Sequence, residues 1–333
     1  MRSRIVSLAA ASLAALIALA GCSSGATATS PDPATPLAVD LRLDWTWGAQ
    51  HLGYLAADRL GYFAEEGLTT TITEGEGSAV TGTVVGTGQA QFGVMAAGEV
   101  LAASSKGLDV QAVYTVLQSS PTAIVYDADK FTVSTPADLY GHKLGVAPQS
   151  TTFKEYEALG QLTGLDRGRI TEVSVGAQIV PALMSGDVDA VIAFSNNQFP
   201  QLQLQGKNVG YLNFTDAGMP DTPSAAVVVN KDFAADNPEA VGAFVRAVDR
   251  GWTWVAENQA EALRMLGEAR PEVNPEFAAK VLPLFLEGMG PVPGFGRFDA
   301  SRWAALEKLY ADQGLLGSAV TLDGGVYDGK YLA

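Results

Sequence analysis

Trp45, Trp47 and His51 fall within one short stretch, Asp44 to His51. Tryptophans in a loop make stacking walls for a flat ring. Spaced by two, they share one side of an extended segment, although either could pack into a core instead. His51 can donate to or accept from a heteroatom, or serve as a structural histidine. In Met95-Ala-Ala-Gly-Glu99 the small residues let backbone approach a ligand. Glu99 there could accept from an amino group, or simply meet a helix dipole. Gln118, in Leu117-Gln-Ser-Ser120, offers both a donor and an acceptor, or marks a turn. Ser150 and Thr151 bring hydroxyls to a helix start whose free amides suit an anion or a carbonyl. Capping is their plainer role, and both can coexist. Phe194 could close over a ring while Asn196 meets its polar edge; a plain turn is the alternative.

Templates for catalysis fare poorly. The chain has two histidines, His51 and His142, which excludes a multi-histidine zinc site and leaves only a carboxylate-rich one open. No P-loop and no G-x-S-x-G elbow is present. Gly86-Thr-Gly88 and Gly288-Met-Gly290 are glycine pairs of the kind found in turns. No catalytic residue, metal or cofactor is expected.

These candidates need elements to position them. Strand-like runs cover Ala38 to Trp45, Thr69 to Glu74, Gln91 to Met95, Val110 to Gln118 and Ala123 to Asp127. Helical spacing covers Gly53 to Glu65, Ala79 to Gly88 and Glu99 to Gly107. The pattern restarts at Ser134, with strands at Lys143–Val146, Ile170–Val175, Val188–Phe194, Asn208–Phe214 and Ala225–Asn230. Helices at Thr152–Thr163 and Ile179–Ser185 separate them, and a long helix opens at Asn237-Pro. Such alternation predicts α/β layers with mainly parallel sheets. A second unit inserted in a first gives 38–127 plus 222–333 as one lobe and 128–221 as the other. Ligands of such sheets sit beyond the carboxyl ends of the strands, which is where all five candidate segments fall.

The N-terminus carries Arg2 and Arg4, an apolar run from Ile5 to Ala20, then Leu19-Ala-Gly-Cys22. This is the layout of a signal peptide, residues 1–21, and its end resembles a bacterial lipobox with Cys22 as the lipidated residue. Cys22 is the sole cysteine, so no disulfide framework is available. Residues 22–37 lack large apolar residues before Leu37 and read as a tether. Cleavage removes two arginines, taking the net charge from −15 to −17. That balance argues against nucleic acid and against a basic lipid-docking patch.

Five stretches together resemble a known family. They are Leu43-Asp-Trp-Thr-Trp-Gly-Ala-Gln-His-Leu-Gly-Tyr, Gly61-Tyr-Phe-Ala-Glu-Glu-Gly-Leu, Val84-Val-Gly-Thr-Gly-Gln-Ala-Gln-Phe-Gly-Val, Leu139-Tyr-Gly-His-Lys-Leu-Gly-Val and Leu183-Met-Ser-Gly-Asp-Val-Asp-Ala-Val. In order and spacing, from about Leu37 to Trp252, they resemble extracytoplasmic solute-binding proteins of ABC importers for nitrate, taurine, alkanesulfonates and thiamine pyrimidine precursors. The resemblance implies a two-lobed periplasmic-binding-protein type II fold that closes on a ligand in its cleft. The Trp45-to-His51 spacing is most similar to the pyrimidine-binding branch. That branch includes a fungal enzyme that builds the pyrimidine from its own histidine and pyridoxal phosphate. Met95 and Glu99 stand where that enzyme carries the Schiff-base lysine and the reacting histidine, and its cysteine cluster is absent.

The resemblance therefore implies a binding protein, monomeric and lipid-anchored on the extracytoplasmic face of the cell membrane. Its partners would be a small-molecule ligand and an ABC permease with its ATPase. Trp45, Trp47, Phe194 and Glu99 favour a flat, neutral or cationic nitrogen heterocycle. An alkanesulfonate, taurine or nitrate is the alternative within the family. Outside that class stand an extracellular enzyme on the same scaffold and an adhesion or signalling lipoprotein.

Overall fold

The computed structural model describes residues 36–148 and 150–332. The signal-peptide and lipidation readings, Cys22 included, lie outside them. Leu37, expected at the end of the tether, already opens the first strand.

Among the described residues, ten strands form two five-stranded sheets. They are β1 (Leu37–Arg42), β2 (Leu68–Thr73), β3 (Phe92–Ala96), β4 (Val110–Leu117), β5 (Thr122–Asp127), β6 (Lys143–Val146), β7 (Thr171–Ser174), β8 (Ala190–Phe194), β9 (Val209–Asn213) and β10 (Ala225–Asn230). The first sheet has the order β2-β1-β3-β10-β4 and the second β7-β6-β8-β5-β9. Each sheet is parallel apart from one strand. β10 runs antiparallel to β3 and β4, and β5 runs antiparallel to β8 and β9.

That arrangement moves one boundary. β5 was expected at the end of the first lobe, yet it pairs inside the second sheet. The outgoing crossing is therefore the turn at 118–121, and the return falls at 214–224. Thr122 to Tyr126 are buried, with Ile124 in the second lobe's core, so alternation within the strand could not show which sheet it joins.

β4 is buried at every residue, as a strand covered on both faces should be. One face of the first sheet packs on helices Leu52–Arg59 and Pro238–Glu257, where Phe92 and Phe244 stack with ring centres 3.7 Å apart. The other face packs on Ala97–Ser105 and Ala300–Asp312 through Leu101, Trp303 and Leu306. The helix expected over Gly53 to Glu65 is broken in two. Gly61 adopts φ +78, a left-handed turn that ends one helix and starts the next.

Candidate functional site

Beyond β1 the chain leaves extended geometry. Residues 44–48 form consecutive bends, then a 3-10 turn at Ala49–His51 leads into the helix Leu52–Arg59. The loop after β2 braces those bends: Gly77 N–H donates to the Asp44 carbonyl at 2.8 Å, and Trp47 N–H to Glu74 Oε1 at 2.8 Å. Because the segment bends, the rule that residues two apart share a side lapses. Trp45 is 57 % exposed, whereas Trp47 is 7 % exposed and joins the first lobe's core.

His51 is fully buried, with Nε2 2.8 Å from Asp44 Oδ1. Its Nδ1 is buried with no hydrogen-bond partner among the described residues. The Asp44 side chain keeps 32 % of its surface exposed. Behind the pair, burial pushes the Tyr54 hydroxyl well above its ordinary range, and the Asp44 charge adds to the rise. Tyr54 is thus a neutral backing for the pair.

A cavity of about 490 Å³ opens over these groups. Strand ends of both sheets surround it: Asp44 and Trp45 after β1, Val94 and Ala96 of β3, Leu117 of β4, Phe194 and Asn196 at β8, and Ser224 before β10. Val281 and Phe285 of helix Pro275–Met289 supply a further apolar wall. A second, outer cavity of about 830 Å³ shares Trp45, Gln50, Asn197 and Val281 with it and is edged by Glu74, Glu272 and Glu276. The outer cavity is larger, but the inner one gathers five strand ends and the buried pair, which is where ligands of open α/β sheets bind. No Lys or Arg lines either cavity among the described residues. Arg270 comes near only to lay its guanidinium over the Trp47 ring, at 4.6 Å.

Trp45, His51, Phe194 and Asn196 are therefore brought together, and Trp47 lines the outer cavity. Four expected residues line neither. Gln118 is tied down, its amide donating to the carbonyls of Arg297 at 2.9 Å and Thr115 at 3.3 Å. Ser150 caps its helix, donating to the Ala147 carbonyl at 2.7 Å and accepting from Phe153 N–H at 3.2 Å. Glu99 and Thr151 act instead on Tyr310: burial first, then the charges of Glu155 and Glu99, hold that phenol far above its usual range, against a hydrogen bond to Thr151. Glu155 sits close by with a buried, unpartnered carboxyl oxygen. Burial raises its pKa from the ordinary 4.5 to about 7, and the hydroxyls of Thr122 and Ser120 oppose the rise.

Asp44, Gln50 and Ser78 escaped selection in the sequence. Asp44 carried a signal, a carboxylate at a strand's carboxyl end seven residues before a histidine. Ser78 carried none, since its use depends on accepting from Ala96 N–H across the loop, at 2.9 Å.

Two sheets linked by two crossings, with a cleft at their strand ends, are the architecture of the periplasmic binding proteins. The aliphatic sulphonate binding protein SsuA of Escherichia coli superposes with a TM-score of 0.70 at 17% identity, over 90% of this chain and 100% of that one. Residues 48–262 match the family model described as NMT1/THI5 like, and the chain belongs to that family. It is 29% identical over 306 residues to the formylaminopyrimidine-binding protein of Halalkalibacterium halodurans, covering 90% of each chain. It is also 27% identical over 253 residues to the 4-amino-5-hydroxymethyl-2-methylpyrimidine phosphate synthase of Legionella pneumophila, covering 74% of this chain and 79% of that one.

Proposed function

We propose that this chain is the lipid-anchored receptor of an ABC importer, and that it captures a flat nitrogen heterocycle of the aminopyrimidine class. The observation that carries the ligand class is the inner cavity's lining. A carboxylate and a buried imidazole stand at one end, Trp45 and Phe194 offer aromatic surface, and among the described residues no cation lines the cavity to hold a sulfonate or nitrate. An exocyclic amine would donate to Asp44, while a ring nitrogen would accept from Asn196 or Ser78. The outer cavity leaves room for a substituent on the ring.

Capture works by closure of two lobes, the first built on β1–β4 and β10 and the second on β5–β9. Contacts from both lobes favour the closed form by their differential affinity. A permease with its ATPase would then read the closed outer faces, and lipid on Cys22 keeps the receptor at the extracytoplasmic membrane surface.

Catalysis is not part of the proposal. Met95, where the resemblance places a Schiff-base lysine, lies between the cleft residues Val94 and Ala96 and so points to the opposite face of its sheet. There it is buried in the core with Val85 and Leu101.

The test is calorimetric titration of formylaminopyrimidine, taurine, an alkanesulfonate and nitrate. Binding of the pyrimidine, recovered unchanged, is expected. Binding of a sulfonate with no response to the pyrimidine would overturn the ligand class, and turnover would overturn the receptor reading. For the anchor, Cys22→Ser should move the protein from the membrane fraction to the soluble one.

A further inference from the structure

Helix Ala300–Asp312 is rooted in the first lobe, where Trp303, Leu306 and Tyr310 join the core. Arg302, in its first turn, leaves that core and reaches both crossings between the sheets. Nη1 donates to the Gln118 carbonyl at 2.8 Å and stands 3.4 Å from Ser119 Oγ. Nη2 lies 3.0 Å from Asp221 Oδ2, and Nε lies 3.7 Å from Asp299 on the same helix. Ser119 Oγ donates to the same Asp221 oxygen at 2.9 Å. One guanidinium and one carboxylate thus hold the outgoing segment against the returning one. A planar fork suits this, because several donors are fixed in one geometry.

The held segments also border the ligand cavity. Leu117 precedes the outgoing turn and Pro121 closes it, Ser224 ends the return and Ala225 opens β10, and all four line the inner cavity. Ser224 N–H donates to the Leu117 carbonyl at 2.9 Å, which continues the contact toward the cleft. Across the mouth, helix Gln198–Leu204 of the second lobe packs on helix Pro275–Met289 of the first. The clasp therefore belongs to an arrangement in which the lobes meet.

We infer that Arg302 is a positioning residue for ligand capture, clasping the two crossings so that the lobes favour the closed arrangement. The inference rests on the reading that the lobes close on a ligand, and Arg302 itself touches none.

The test uses the full chain with Cys22→Ser, and spin labels on Glu272→Cys and Gln205→Cys, which flank the outer cavity from opposite lobes. Without ligand, Arg302→Gln should lengthen and broaden the label distance. Asp221→Asn should do the same, and the double variant should add little. Arg302→Lys should recover only part of the effect. Affinity for formylaminopyrimidine should fall about 5- to 20-fold in Arg302→Gln, chiefly through faster release. An unchanged distance and affinity beside a lowered melting temperature would overturn the inference and leave Arg302 a brace of the fold. The distance measurement needs no ligand, so failure of every titration in the wild-type chain would strike the ligand assignment and leave the clasp testable.

Discussion

Asp44 and His51 are joined at 2.8 Å across the turn that leads from the first strand into the first helix. The contact leaves part of the carboxylate facing the cleft and none of the imidazole exposed to solvent. A hydrogen bond to a charged group contributes about 1.5–3 kcal/mol, which corresponds to roughly 10- to 100-fold in affinity. Asp44→Asn should weaken formylaminopyrimidine by that factor in calorimetry. Unchanged affinity would remove Asp44 from the ligand contacts.

The two tryptophans should separate binding from stability. Trp45→Ala is expected to cost about fivefold in affinity through lost stacking, in line with about 1 kcal/mol for an aromatic pair, with little change in melting temperature. Trp47→Ala removes a packed core ring, which costs about 3–5 kcal/mol. Its melting temperature should drop by several degrees. Reversal of the two patterns would refute the assignment.

Glu155 sets a pH dependence. In the folded chain its carboxyl keeps its proton up to about pH 7, whereas an ordinary glutamate releases it near 4.5. Between those values the unfolded chain binds fewer protons, so stability falls as pH rises through the window and levels off above it. Glu155→Gln removes that loss. The variant should melt higher than wild type at pH 8 and about equal to it at pH 4, by calorimetry across the range. A difference that does not vary with pH would show that the carboxyl ionises normally.

Gly53 lets two helices approach closely. A Cβ built there would lie 2.3 Å from the Trp252 indole. Gly53→Ala should therefore destabilise by about 1–3 kcal/mol, despite the better helix propensity of alanine. Adding Trp252→Phe should recover part of the loss in denaturant titrations; no recovery would place the clash elsewhere.

All ten strands were legible from short-range pattern, because β-branched runs alternate with helical spacing and turn formers mark the ends. Val188–Phe194, apolar on both faces, was the plainest, and β8 is buried on both. The helix Gln198–Leu204 was missed, since its Gln-Phe-Pro-Gln opening reads as a turn and it forms by packing on Pro275–Met289. Within the cleft, Phe194 and Asn196 were legible because they follow a recognisable strand end. The split between Trp45 and Trp47 was not, because it depends on bends imposed by a loop some thirty residues away. Glu155 looks solvated beside Lys154, and the clasp of Arg302 on Gln118 and Asp221 spans 184 residues for its first contact.

The chain passes between the lobes twice, at 118–121 and at 214–224, and each passage delivers the one antiparallel strand of the sheet it enters. A single connecting thread would let the second lobe swing and spin in any direction. Two threads side by side remove most of those degrees of freedom and leave chiefly a rotation about a line near both. Under the proposed closure, every opening of the cleft would follow nearly the same arc, and Phe194 and Asn196 would return to Trp45 and Asp44 in the same register with each ligand caught.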